Sequence, residues 1–163
     1  MLYLLILVPL ALVLVALQAT VFNQFTLAGG HLDILIPALV MLTLYGRYEL
    51  ALFTGVLMAP LIDALSGMPL GVSVLPLVSV ILLAHVGGQN MFGVRLGWPV
   101  VTIFIGSLLA GVITLAELAI LGWEMPWNAL LLRNLIPTAL LNGMAATAIY
   151  LPIIIFGERR GAH

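Results

Sequence analysis

Long stretches without a charged side chain set the pattern of this chain. Nothing charged lies before His31, between Ala64 and Val94 apart from His85, from Leu96 to Ala116, or from Asn134 to Gly157. Each interval can hold a membrane-spanning helix of about 20 residues. The opening run, MLYLLILVPLALVLVALQAT, is apolar on every face, whereas a barrel strand would alternate apolar and polar positions every second residue. The pattern therefore predicts helices, at residues 2–22, 33–46, 49–65, 70–87, 97–121 and 129–156. The second and third are short: Ile34–Gly46 and Leu50–Ile62 hold 13 uncharged residues each, about 20 Å of helix. They reach across a bilayer only if their charged ends snorkel or the membrane thins locally.

Composition sharpens the class. Of 163 residues 64% are hydrophobic and 7% charged, and the mean hydropathy is +1.29, far from the roughly 45–50% apolar and 25% charged of a soluble domain. The expected fold class is an all-α integral membrane protein, a six-helix bundle forming a single domain over residues 1–163, because no polar interval is long enough to bury a core of its own. The absence of cysteine excludes disulfides, thiolate metal sites and cysteine nucleophiles. A net charge of −1 offers no basic face for nucleic acid. The first run has no preceding Lys or Arg and no small-x-small cleavage site, so it reads as a retained helix.

Arginines give the orientation, since positive residues concentrate in cytoplasmic loops. With the amino terminus inside, Arg47, Arg95, Arg159 and Arg160 fall on the cytoplasmic side and only Arg133 falls outside, which places both termini in the cytoplasm. Trp98, Trp123 and Trp127 sit near predicted helix ends, as interfacial aromatics do. No internal repeat of 20–50 residues is present. The two short helices are adjacent rather than matched between halves, so the inverted-repeat signature of transporters is weak.

The polar residues at depth are few. Asp63 lies in PLIDALSGMPLG, followed by Ser66, by Gly67 as a C′ residue and by Pro69 as a first residue of the fourth helix. A charge near the bilayer centre costs at least about 2.5–3.5 kcal/mol, so Asp63 needs a reason. Two readings are open: a cap for free N–H groups where the fourth helix begins, or a buried polar contact that fixes packing or receives a partner. Glu117 in TLAELAI and Arg133 in LLRNLIP fall on the same predicted side, and an Asp63–Arg133 or Glu117–Arg133 pair would lower the cost of burial. Asn142, beside Gly143 in the sixth helix, wants an interhelical partner. Gly106, Ala110 and Thr114, and Gly143 and Thr147, are small residues at helical spacing that allow close packing. His85 has no ligand partner at helical spacing, and His31 and Asp33 read as interfacial polarity; no metal site or cofactor is expected. No nucleophile-base set, P-loop or nucleotide fingerprint is present, so no enzyme activity is expected.

Residues 31–95 hold a short helix beginning near an acidic residue, a basic turn, and a third helix with Gly55 that ends in Asp-x-x-Ser-Gly before x-x-Leu-Gly: Asp63, Ser66, Gly67, Leu70 and Gly71. In this the stretch resembles the rod shape-determining protein family MreD of bacteria. Asn142-Gly143 and the basic tail Arg159-Arg160 fit as well; Leu32-Asp33 stands where the family often has Pro-Asp. The resemblance implies a multi-pass protein of the bacterial cytoplasmic (inner) membrane, folded like the substrate-binding S component of energy-coupling factor transporters. It implies a non-catalytic part of the rod elongation complex, which regulates peptidoglycan synthesis and cell shape. The implied partners are MreC, through the complex RodA and a class B penicillin-binding protein, MreB indirectly, and membrane lipid. The alternative is a solute-binding membrane subunit of the energy-coupling factor type, with Asp63, Glu117, Arg133 and Asn142 lining its pocket. A proton-coupled transporter is disfavoured by the scarcity of central acids.

Overall fold

A computed structural model describes residues 2–21, 26–27, 29–45, 47–90, 97–124 and 126–158. The chain is mostly helical: α1 Leu2–Thr20, α2 Leu35–Tyr45, α3 Tyr48–Ser66, α4 Val74–Asn90, α5 Trp98–Ile120, a short α6 Trp127–Leu130, and α7 Ile136–Glu158. A π-helical turn, Leu131–Leu135, joins α6 to α7, so the last three elements form one continuous rod and six rods make the bundle. Three helices are long and apolar enough to cross a membrane: Tyr48–Ser66, Trp98–Ile120 and Trp127–Ala148. Ala11–Thr20, Leu35–Tyr45 and Val74–Gly88 are shorter apolar stretches. Arg95, Arg159 and Arg160, on which the predicted orientation mainly rests, lie outside the described residues.

The centre of the bundle is its shortest rod. α2 has 11 residues and touches α1, α3, α4, α5 and α7. Leu35, Ile36, Pro37, Leu39, Val40 and Thr43 are all buried, which leaves little of this helix for lipid. Its side chains join Ala51, Ala59, Val80, Ile81, Ala84 and Ile103 in the main core, while Ala11, Val15, Leu35 and Met58 form a second cluster that seats α1. Glycines set the closest approaches. A Cβ on Gly55 would stand 2.8 Å from Ile81 Cδ1, and one on Gly87 would stand 2.2 Å from the Trp98 ring. Trp98 thus packs inward across α4, while Trp123 and Trp127 are exposed.

The helices differ from the sequence pattern at their ends. α2 begins at Leu35 rather than 33, because the Asp33 carboxylate accepts the Leu35 N–H at 2.8 Å and so stands ahead of the helix as its cap. α4 begins at Val74 rather than 70, and Pro69 lies in the turn instead of opening the helix. Pro76 fills the third position of α4, where the missing N–H leaves one fewer unsatisfied donor. A two-residue antiparallel ladder, β1 Thr26–Leu27 with β2 Gly30–His31, precedes α2 and was not anticipated by the apolar pattern. It lies against the start of α7: a Cβ on Gly30 would stand 2.5 Å from the Thr138 nitrogen and 2.6 Å from the Pro137 carbonyl carbon. Among small residues expected to allow close packing, Gly106 abuts Val80 of α4, with its Cβ position 3.2 Å away.

Because the obstacle at Gly30 is backbone rather than a flexible side chain, Gly30→Ala is expected to cost about 1–3 kcal/mol. Gly97→Ala, where nothing lies within 4 Å, should change stability by less than about 0.5 kcal/mol. Thermal unfolding of the two purified variants in one detergent measures the difference.

Candidate functional site

The polar side chains of the interior gather at one end of the bundle, where α1 and α3 finish and α2, α4 and α7 begin. Asp63 organises one half of it. The residue is completely buried, and both its main chain and its side chain hold the segment that follows. Its carbonyl oxygen accepts the N–H of Gly67 at the end of α3 and that of Met68 at 3.0 Å. Its carboxylate accepts the Gly71 N–H at 2.7 Å, the Ser73 N–H at 3.1 Å and the Ser73 hydroxyl. Gly67 at φ +68° and Gly71 at φ +103° supply the left-handed conformations that reverse the chain. Nothing lies within 4 Å of a Cβ at either, so conformation rather than crowding requires glycine there. The capping role of Asp63 is therefore real but falls just ahead of α4, on the turn, rather than on the helix's own first turn.

Asn142 organises the other half. It is also completely buried. Its Oδ1 accepts the Asp33 N–H at 2.8 Å, and its Nδ2 donates to Ser107 Oγ at 2.9 Å, so one amide ties α7 to α5 and to the entrance of α2. Gln18 at the end of α1 works in the same way, donating to the Leu32 carbonyl at 3.1 Å and accepting the Ile34 N–H at 3.0 Å. Thr138 Oγ1 accepts the His31 N–H at 3.0 Å and donates to Asn134 Oδ1 at 3.2 Å. Burial raises the Asp33 carboxyl above its ordinary range, opposed by the N–H groups of Leu35 and Ile36.

The expected ion pairs do not form. Arg133 is exposed on the π-helical turn, and among the described residues the ion pair found is Arg47–Glu49 at 4.0 Å, at the opposite end of α3. A long guanidinium near a helix end reaches water at little cost, whereas pairing it with Asp63 would require desolvating it. Asp63 takes its compensation from N–H and O–H donors instead. Glu117 is half-buried, with Oε2 lacking a hydrogen-bond partner. At the Arg47 end His85 stacks on Tyr48, ring centres 4.0 Å apart. Among the described residues no group of acidic, His or Cys side chains is arranged to hold a metal.

A cavity of about 260 Å³ opens beside these two halves. Its polar wall is Gln18, Asp33, Ser73, Ser107, Thr114 and Thr138; its apolar wall includes Val15, Leu35, Ile62, Leu77 and Ala110. Ser66 stands exposed at its edge. The pocket lining anticipated from sequence is corrected here: Asp63, Glu117, Arg133 and Asn142 do not line the cavity. Asp63 and Asn142 lie one hydrogen bond behind it, through Ser73 and Ser107. Gln18, Ser73, Ser107 and Thr138 were missed by the sequence reading, though Gln18 as a lone amide near the end of an apolar run was a usable signal. Of the five motif residues, Asp63, Gly67 and Gly71 build the turn, and Leu70 projects from it at 74% exposure.

Comparison with family models, with curated proteins and with solved structures finds no match.

Replacing Asn142 by Leu removes the acceptor for the Asp33 N–H and the donor to Ser107, and is expected to cost about 2–4 kcal/mol, as one N–H is left without an acceptor and a second hydrogen bond is lost. Ser107→Ala, which leaves the Asp33 N–H paired, should cost about 1 kcal/mol. Paired thermal melts of the two variants check the order.

Proposed function

We propose that the chain crosses the bacterial cytoplasmic membrane six times, with both termini inside and the Asp63 end facing outward. In this reading it serves without catalysis as an MreD-type component of the rod elongation complex. It would bind MreC and through that contact influence RodA, its class B penicillin-binding protein and, indirectly, MreB, with a bundle resembling the S component of energy-coupling factor transporters. The described arginines, Arg47 and Arg133, lie at opposite ends of the bundle, so the orientation rests on the sequence alone.

The observation that carries the reading is the turn itself. Of the residues on which the resemblance rests, Asp63, Gly67 and Gly71 build one turn, which carries Leu70 and is flanked by Ser66. Asp63 clasps the segment at both ends, the two glycines reverse it, and the outcome is a fixed loop that presents Leu70 away from the bundle. A chain with so little polar mass outside its helices works on other proteins through helix faces and such loops. A rigid loop with an exposed Leu suits a partner's membrane helix or the segment just beyond it, because little ordering entropy remains to be lost on docking.

The cavity supports a second reading, a solute-binding membrane subunit, since mixed polar and apolar lining is what small-molecule sites use.

The first reading is tested by co-purification of MreC from mild detergent. Leu70→Ser leaves every bond of the turn intact and should give folded protein that retains MreC at less than about one tenth of the wild-type yield, the loss expected for removal of a docking anchor worth about 2 kcal/mol or more. Asp63→Ala should reduce both the melting temperature and MreC retention, as the Gly71 and Ser73 donors lose their acceptor. Wild-type MreC recovery with folded Leu70→Ser and Asp63→Asn proteins would overturn the docking role of this turn.

A further inference from the structure

The cavity at the Asp63 end has a definite chemical bias, and that bias names what it takes. Two carboxylates serve its polar side: Asp33 in the wall, and Asp63 one hydrogen bond behind Ser73. No Arg, Lys or His among the described residues lines the cavity. Among the described residues neither carboxylate has an ion-pair partner, the pair found being Arg47–Glu49 at the far end of α3. The hydroxyls add acceptors more than donors. Ser73 spends its proton on Asp63 and Thr114 spends its own on the Ala110 carbonyl at 2.9 Å, so both turn lone pairs toward any occupant. Ser107 accepts from Asn142 and keeps its proton as a donor. An anion would meet two carboxyl groups and the hydroxyl lone pairs, with no cationic side chain in the wall to answer its charge in a setting of low dielectric, and is excluded.

The remainder of the wall is apolar, supplied by Leu35, Ile36, Ile62, Leu77 and Ala110. The volume, about 260 Å³, exceeds what isolated waters need and approaches the roughly 300–1,000 Å³ of small-molecule sites. We infer that the cavity binds a small organic amine in its ammonium form, its charge against Asp33 and the Ser73 and Thr114 hydroxyls and its compact apolar body against Ile62 and Leu77. This rests on the solute-binding reading and names its solute class; it is independent of which protein docks on the Leu70 loop.

Three probes of nearly one shape separate charge from size: benzylamine, benzyl alcohol and benzoate, added to the purified protein in detergent, with the melting temperature followed against concentration. Benzylamine should give a saturable rise of about 5–10 °C at about 100 times its Kd. Benzyl alcohol should bind at least tenfold more weakly, and benzoate should give no saturable shift. Asp33→Asn, which keeps an oxygen for the Leu35 N–H, should weaken benzylamine at least tenfold, and Ala19→Phe, which fills the cavity from the edge of α1, should abolish the response. Benzyl alcohol binding as tightly as benzylamine, or an unchanged benzylamine Kd in Asp33→Asn, overturns the ammonium assignment while leaving a solute site standing. No saturable response to any probe, or an unaltered response in folded Ala19→Phe, overturns both.

Discussion

In an apolar bundle a peptide group without a partner is costly, and the arrangement of this protein follows from meeting that requirement at the one place where helix fails to supply it. α2 has only 11 residues, about 16 Å of rise, so the chain must enter the bundle as irregular backbone before the helix can start. Irregular backbone at depth is tolerated only where other groups satisfy it. Here they do so side chain by side chain: Thr138 serves His31, Gln18 serves Leu32 and Ile34, Asn142 serves Asp33, and Asp33 serves Leu35. The donors and acceptors come from α1 and α7, so the same bonds that admit α2 also hold the two terminal rods to the centre. With α2 seated, its buried face gives each neighbouring helix something to pack upon.

The second irregular segment, between α3 and α4, is solved with one residue rather than four. Asp63 accepts four N–H groups and a hydroxyl through its carbonyl and carboxylate oxygens. An ionised carboxylate is suited to this because charge-assisted bonds are roughly twice as strong as neutral ones, and because the donors themselves supply the compensation that a buried charge needs. The carboxylate also fixes where α4 can begin. That clasp competes with helix formation by holding Gly71 at φ +103°, outside the helical region, and α4 starts beyond it, at Val74.

That competition explains which parts of the structure could be read from sequence. The six rods were legible because uncharged intervals long enough to be helices are hard to mistake. Asp63 with Gly67 was legible as a helix stop, since a left-handed glycine after a helix is a strong local signal. Helix starts were less so. Pro69 carries the signal of a first helical position, yet the side-chain bonds of a residue six positions earlier keep that segment as a turn, and the proline that matters for α4 is Pro76. The Asn142 partner was anticipated in kind but not in identity, because Ser107 is one of several small residues on α5 and no local pattern distinguishes it. Gln18, Asp33 and Thr138 act on backbone atoms, and backbone has no sequence signature. The Arg133 pairings failed for a related reason: opposite charges assigned to one end of a bundle still need a shared face, and the π-helical turn sets Arg133 outward.

The two halves of the polar end are not independent. Ser66 and Ser73 stand at either side of the Asp63 turn, and both also border the cavity. The exposed Leu70 lies between them in the chain, so the loop available to a protein partner and the wall available to a small molecule are two faces of one segment clasped by one carboxylate. Any occupant that shifts Ser73 acts on a bond that holds the turn, and any partner that moves the turn acts on the cavity wall. Linkage then requires reciprocity: whatever factor an occupant imposes on partner affinity, the partner imposes on the occupant. The size of that factor depends on how far the turn has two states. A turn bonded at four N–H groups resists gradual deformation, so coupling through it would arise from switching of the Ser73–Asp63 contacts rather than from a graded displacement.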